Sequence, residues 1–219
     1  LLRWHPEVTP PRRTPILGAI AIGIGYCARS SPLRRVLTRG FAFGIAGAAF
    51  SALLPSLVRD RLHGTEIIYG LCLAAFGAGS IFAALWVGEA RKRWGSDRVV
   101  SIASLVFAAA MVPAATALTL PPLLATAFVA GAAWVSTLTT LNVAMQLRSP
   151  EEILGRCLSI YQAVTFGAMA LGAWLLGTLA DLTDLPTALF TAAGWLTFTG
   201  LLLPLIAPMP RRDDGRVIP

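Results

Sequence analysis

Six stretches of this sequence contain no Asp, Glu, Lys, Arg or His: Phe41–Val58, Ile67–Gly88, Val99–Leu120, Leu123–Met145, Cys157–Ala180 and Pro186–Pro208. Each is close to the roughly 20 apolar residues that a helix needs to cross a bilayer core about 30 Å thick. Lipid offers backbone groups no water, so a crossing segment must satisfy its own hydrogen bonds, as a helix does. The chain is 56% hydrophobic and 13% charged, against about 25% charged in a soluble domain. The pattern predicts an all-α membrane protein built as a six-transmembrane-helix bundle.

The 18 Lys and Arg exceed the 11 Asp and Glu, an imbalance that elsewhere points to nucleic acid. Their positions argue otherwise. Basic residues fall before the first stretch and after the sixth, between the second and third, and between the fourth and fifth; only Arg59 and Arg61 fall in the remaining segments. This alternation obeys the positive-inside rule and places both termini in the cytoplasm. The charge is a topology signal, so the expected partner is the lipid bilayer, with no nucleic acid.

Residues 1–15 are polar and rich in proline, like a linker. The apolar run Ile16–Ala28 is too short to span, and Ile16, Ile20 and Ile24 recur every four residues ahead of Arg29, Arg34, Arg35 and Arg39. That spacing predicts a short amphipathic helix on the cytoplasmic surface. A signal peptide is the alternative, with Ala28 and Ser30 loosely fitting a cleavage site. Beginning at Leu1, the chain is expected to be a piece of a longer protein. The expected organisation is a cytoplasmic linker over 1–38, a transmembrane domain over 39–208 and a cytoplasmic tail over 209–219.

Intramembrane catalysis needs an ionisable residue or a metal ligand at depth, and the stretches supply none. Both histidines, His5 and His63, lie outside them. Ser80, in Gly77-Ala78-Gly79-Ser80, has no base to activate it, so these small residues read as helix packing. Cys27, Cys72 and Cys157 form no CxxC pair and read as free buried thiols. No metal, cofactor or enzymatic activity is expected. Proton coupling would need a titrating group outside this segment or at a membrane edge, where Asp60, Glu66 and Asp181 otherwise read as solvated helix ends.

Small residues four apart, Gly40/Gly44, Ala168/Gly172 and Ala173/Gly177, are spaced for close helix contact. Pro55, Pro113 and Pro204 permit kinks. Polar side chains gather in the fourth and fifth stretches. Thr139, Asn142 and Gln146 share one face, and Gln162 and Thr165 share another with Met169. Two readings stay open: interhelical hydrogen-bond glue, or the wall of an aqueous cavity that touches a small-molecule substrate. Phe43, Phe50, Tyr69, Phe76 and Tyr161 are aromatic candidates for the same wall. The basic segment GEARKRWGSDR, with Gly88, Arg93, Gly95 and Arg98, reads either as an orientation signal with turn glycines or as a conformational latch.

Four segments carry a family resemblance: SPLRRVLTRG, LPSLVRDRLHGTEIIYGLCLAAFGAGSIFAALW, GAAWVSTLTTLNVAMQLRSPEEILGRCLSIYQ and AVTFGAMALGAWLLGTLADLTDLPTAL. Together they resemble the linker and spans seven to twelve of major facilitator superfamily transporters, in the bacterial multidrug and enterobactin-type exporter branch called transmembrane secretion effectors. The family's loop motif is matched by Gly88, Arg93 and Gly95. Lys92 stands at its acidic position, and Ser96 and Asp97 stand at its two basic ones. The resemblance implies one half of the major facilitator fold, with the first, second, fourth and fifth spans lining a central cavity and the third and sixth as scaffold. It further implies an N-terminal six-helix half as partner, export of drug- or siderophore-like molecules by alternating access, and a bacterial inner membrane location. The rival reading is a non-transporting or homodimerising membrane scaffold.

Overall fold

The computed structural model describes residues 16–209, and among these it is helical throughout, with no strand. The helices are α1 (Ile16–Arg29), α2 (Ser31–Ser56), α3 (Glu66–Thr116), α4 (Leu120–Arg148), α5 (Leu154–Leu182) and α6 (Leu185–Ile206). A π-helical turn, Leu57–Arg61, extends α2 just after Pro55, and a short 3-10 turn, Glu151–Ile153, leads into α5. Prolines open the first turn of α2, α4 and α6, where their missing N–H has no helical partner to lose. Asp184 caps α6, its carboxylate accepting the Thr187 N–H at 2.7 Å. Five helices, α2 to α6, are long and apolar enough to cross a membrane.

At 51 residues, α3 would be roughly 76 Å long as a single rod, more than twice a bilayer core. It is not one rod. Gly95 interrupts it at φ 80°, ψ 158°, a backbone conformation that only glycine adopts without strain. Contacts with α2 on either side of this break fix the direction of each arm: on the first, Ile68 lies with Val58 around Gly64 and Phe76 stacks on Phe50 further back along α2. Asp97 and Ser101 lie beside Arg39, near the start of α2. The Ala115 carbonyl accepts from Arg61 at the other end of α2. The second arm (96–116) therefore runs parallel to α2, and the first arm (66–94) runs antiparallel to it.

Backbone contact at glycine sets the packing. Gly79 on the first arm of α3 and Gly131 on α4 face each other so closely that a Cβ on either would overlap the backbone carbonyl of Phe128 or Phe76. The same holds for α2 and α5, where a Cβ on Gly172 would overlap the Ile45 carbonyl and one on Gly44 would crowd Thr165 and Ala168. Gly40, Gly44, Ala168 and Gly172 thus act as their spacing predicts; Gly177 faces open space. Around these crossings lies the core, formed by Phe43, Phe50, Phe107, Met111, Leu123 and Leu196 from four helices. Pro55, Pro113 and Pro204 all sit inside helices. The linker before residue 16 and the tail from residue 210 lie outside the described residues.

The apolar run after residue 15 forms the helix α1, which docks by a face other than the stripe that holds Ile20 and Ile24. A Cβ on Gly23 would meet Ile160 and Arg156 of α5 at 3.0 and 3.2 Å, while Ile20, Ile22, Ile24 and Tyr26 are exposed. The three cysteines are free and buried. Two that are far apart in sequence, Cys27 and Cys157, share one buried cluster with Leu33, Val36 and Tyr161. Burial, with Cys157 alongside, pushes the Cys27 thiol up to about 12, so it is protonated and unreactive at neutral pH. In membranes, copper phenanthroline at pH 9 is expected to join Cys27 to Cys157, so that a chain cut at a protease site inserted in the loop 62–65 keeps its two fragments linked on a non-reducing gel, and to do so far more slowly at pH 7. Cys27→Ser should abolish the link without Cys72 taking its place. Fragments that never link would show that α1 does not dock on α5.

Candidate functional site

Most hydroxyl side chains within the helices bond to their own backbone. Ser80, Ser104, Thr137 and Thr199 each donate to the carbonyl four residues earlier. This local bond makes Ser and Thr tolerable in an apolar setting and gives them no need of a ligand. Carboxamides have no such route, which singles out Asn142, Gln146 and Gln162.

On α4, Gln146 is exposed, Asn142 and Thr139 are half-buried, and the Gln146 side-chain amide donates to the Asn142 carbonyl oxygen. One such bond leaves most of the pair's N–H donors to find partners elsewhere. Gln162 on α5 is exposed, whereas Thr165, three residues on, is buried against Gly40. The fold therefore separates two side chains that the helical wheel places on one face. Tyr161 is buried, and its hydroxyl lies 3.5 Å from the Leu138 carbonyl, joining α5 to α4.

The aromatic candidates fall in two settings. Phe43 and Phe50 are buried, with Phe76 half-buried beside them, in a cluster completed by Phe107 and Trp134. Phe50 stacks on Phe76 at 6.0 Å between ring centroids, and Phe43 meets Phe107 edge-on at 5.7 Å and Trp134 at 5.6 Å. Such offset and edge-on pairs each add about 0.5–1.5 kcal/mol beyond area burial. This cluster ties α2, both arms of α3 and α4 together at mid-length. Tyr69 is half-buried near the outer end of the first arm. Among the described residues no group of three His, Cys, Asp or Glu side chains could hold a metal.

In the basic loop, Gly88 meets open space, and Arg93 and Arg98 are exposed. Lys92 approaches Glu89 at 3.8 Å on the surface. Gly95 makes the turn that carries Asp97 onto Arg39. Arg39 is only 3% exposed, and its Nη2 bonds to Asp97 Oδ1 at 2.7 Å and to the Ala207 carbonyl at 3.3 Å. The same Oδ1 accepts the Met209 N–H at 2.8 Å. One ion pair thus clamps the start of α2, the second arm of α3 and the exit of α6. The loop's arginines drew attention in the sequence, yet the residue that makes this contact is its lone aspartate. The available signal was that Asp97 stands where the family motif has a basic residue.

The sequence matches the family model described as transmembrane secretion effector over residues 1–219. It is 25% identical over 181 residues to an uncharacterized MFS-type transporter of Enterobacter sp. (strain 638), covering 82% of this chain and 45% of that protein. It is also 25% identical over 192 residues to the multidrug efflux pump Tap of Mycolicibacterium fortuitum, covering 87% of this chain and 44% of the pump. The chain spans about half the length of these relatives.

Removing one member of a buried ion pair leaves an uncompensated charge, at a cost of about 3–5 kcal/mol. With Asp97 a quarter exposed, Asp97→Asn is expected to lower stability by an amount near the lower end, about 3 kcal/mol. The double variant Arg39→Met with Asp97→Leu should lose less than Asp97→Asn alone. Thermal unfolding in detergent measures both, and a double variant that adds the two losses would show the pair to be uncoupled.

Proposed function

Since the chain belongs to the transmembrane secretion effector family of major facilitator transporters, we propose that it is the C-terminal six-helix half of a secondary-active exporter of small amphipathic molecules, drug- or siderophore-like. It is a multi-pass membrane protein. In this reading the two arms of α3 each cross the bilayer, and with α2, α4, α5 and α6 they make six crossings. Residues 39–208 form the half-domain, and α1 is the linker helix on the cytoplasmic surface of a bacterial inner membrane. The distribution of basic residues supports cytoplasmic termini.

The observation that carries the reading is the uneven cover of the helices. Within its most apolar window α2 is 67% buried, whereas α5 is 22% buried. The open side of α5 presents Gln162, Ala163, Phe166, Gly167, Ala170 and Trp174. Small residues alternating with aromatics and one carboxamide suit a face that meets protein or water better than lipid alone. The N-terminal half of the same transporter would close over this side. Gln162, with Asn142, Gln146, Thr139 and the partly open Tyr69 and Phe76, would then belong to the wall of the central cavity. Phe43, Phe50, Tyr161 and Thr165 would back that wall from inside the bundle. Alternating access by rocking of the two halves would move the wall between the two sides of the membrane. The loop residues Gly88, Arg93, Gly95 and Arg98 would flank the latch that Asp97 makes with Arg39. Proton coupling, where it operates, would use groups at the edges of the spans.

In the full-length protein, Asn142→Leu and Gln162→Leu should each reduce efflux of a fluorescent amphipathic cation from inverted vesicles by about 3- to 10-fold, the loss of one polar contact to a ligand. Membrane abundance should be unchanged. Efflux equal to wild type in both variants would remove these residues from the wall. Full transport by this chain alone would mean that a second copy of it, and not an N-terminal half, closes the cavity.

A further inference from the structure

A small cleft of about 10 Å³ lies between α2, the second arm of α3 and α6. Its polar lining is Arg39, Ser101, Ser104 and Thr199; Phe43 and Leu203 form part of the rest. It lies within the half itself, away from the open side of α5 and from the amide pair on α4.

The hydrogen-bond inventory of this lining is unbalanced. The two terminal nitrogens of Arg39 reach Asp97, Ser101 and the Ala207 carbonyl. Its Nε is buried and has no partner among the described residues. A buried N–H on a charged group is among the most costly to leave unpaired. The same lining carries two hydroxyls whose protons are already engaged. Ser104 donates to the Val100 carbonyl and Thr199 to the Trp195 carbonyl, both at 2.8 Å. Each hydroxyl oxygen keeps lone pairs that can accept.

One spare donor and two spare acceptors on the lining of one small, otherwise apolar cleft match the chemistry of a single molecule. We propose that the cleft holds an ordered internal water that accepts from Arg39 Nε and donates to the Ser104 and Thr199 hydroxyls. An anion would meet hydroxyl oxygens whose hydrogens point away, beside a guanidinium already neutralised by Asp97. A cation would meet the guanidinium itself. A lipid chain would leave Nε unpaired. One water needs roughly 10–15 Å³ of such space and two to four polar partners, so a cleft of about 10 Å³ admits a single molecule and nothing larger, and the partner count fits. The water completes the clamp by linking α2, the second arm of α3 and α6 at one point.

X-ray hydroxyl-radical footprinting of the protein in its native membrane tests the assignment, because radicals formed from a bound water label the side chains beside it whatever their bulk exposure. Phe43 and Phe107 are 2% and 0% exposed, and of the two only Phe43 lines the cleft. Phe43 should be oxidised several-fold faster than Phe107. Thr199→Val, which keeps the shape and removes the acceptor, should bring Phe43 down to the Phe107 rate. Ser104→Ala should do the same and serves if Thr199→Val does not accumulate. Equal rates for the two phenylalanines in the wild type would overturn the proposal, as would a Phe43 rate that neither variant lowers. A Phe43 rate that falls as phosphate or chloride is added would assign the cleft to an anion and overturn it as well.

Discussion

Lipid removes the force that drives helices together in water, because hydrocarbon chains are as apolar as the side chains they would replace. What holds this bundle is therefore contact between backbones, and such contact needs residues with almost no side chain. Gly79 against Gly131 and Gly172 against Ile45 are the points where two helix pairs touch. With backbones this close, dispersion acts over many atoms and larger side chains fill the space above and below the crossing. The aromatic cluster of Phe43, Phe50, Phe76, Phe107 and Trp134 occupies that space. A glycine at the crossing and aromatics beside it are two parts of one packing solution.

The same scarcity of driving force explains the placement of charge. Arg39 is buried at the end of the bundle where the basic segments lie, with its carboxylate partner on a loop and further acceptors on the last turn of α6. Ion pairs taken from water can cost more than they return unless every remaining donor is met. The terminal nitrogens of Arg39 have several acceptors while its Nε has none among the described residues, and Asp97 has a second donor in the Met209 N–H. At the opposite end Arg61 caps the Ala115 carbonyl, a terminal acceptor that α3 cannot satisfy internally. α2 and the second arm of α3 are thus held at both ends by arginine. Between those ends packing alone operates.

The sequence made the spans legible because charge marks their ends sharply. The window Ile67–Gly88 sits inside the first arm of α3, and Cys157–Ala180 sits inside α5. Helices outrun their windows where Arg or Lys can extend toward water, as α2 does by starting at Ser31. The presence of a turn at Gly95 was also readable from its loop. Rotation about each helix axis was not. Gln162 and Thr165 are 60° apart on a wheel, yet one is exposed and the other buried, because the boundary of the α2 contact passes between them. Contacts between distant residues were equally hidden: Arg39 with Asp97, and Cys27 with Cys157. Nothing in composition pairs two residues that meet only once five helices have been placed.

The difference between α2 and α5 bears on what a half of this kind can do alone. Both helices cross at glycines and share one contact surface, yet α2 has neighbours on every side and α5 on one. Were the open side of α5 built for lipid, an exposed carboxamide at Gln162 would be a cost with no return, since hydrocarbon supplies no partner for its amide. Phe166 and Trp174, exposed at 57% and 65%, would suit lipid, but the small residues between them would leave shallow notches that acyl chains fill poorly. Notches flanked by aromatics are what another helix packs into, and an amide nearby is what a water-filled space between two lobes can satisfy. The same face therefore asks for a protein surface and for water together, which a cavity between two halves provides and a bilayer does not.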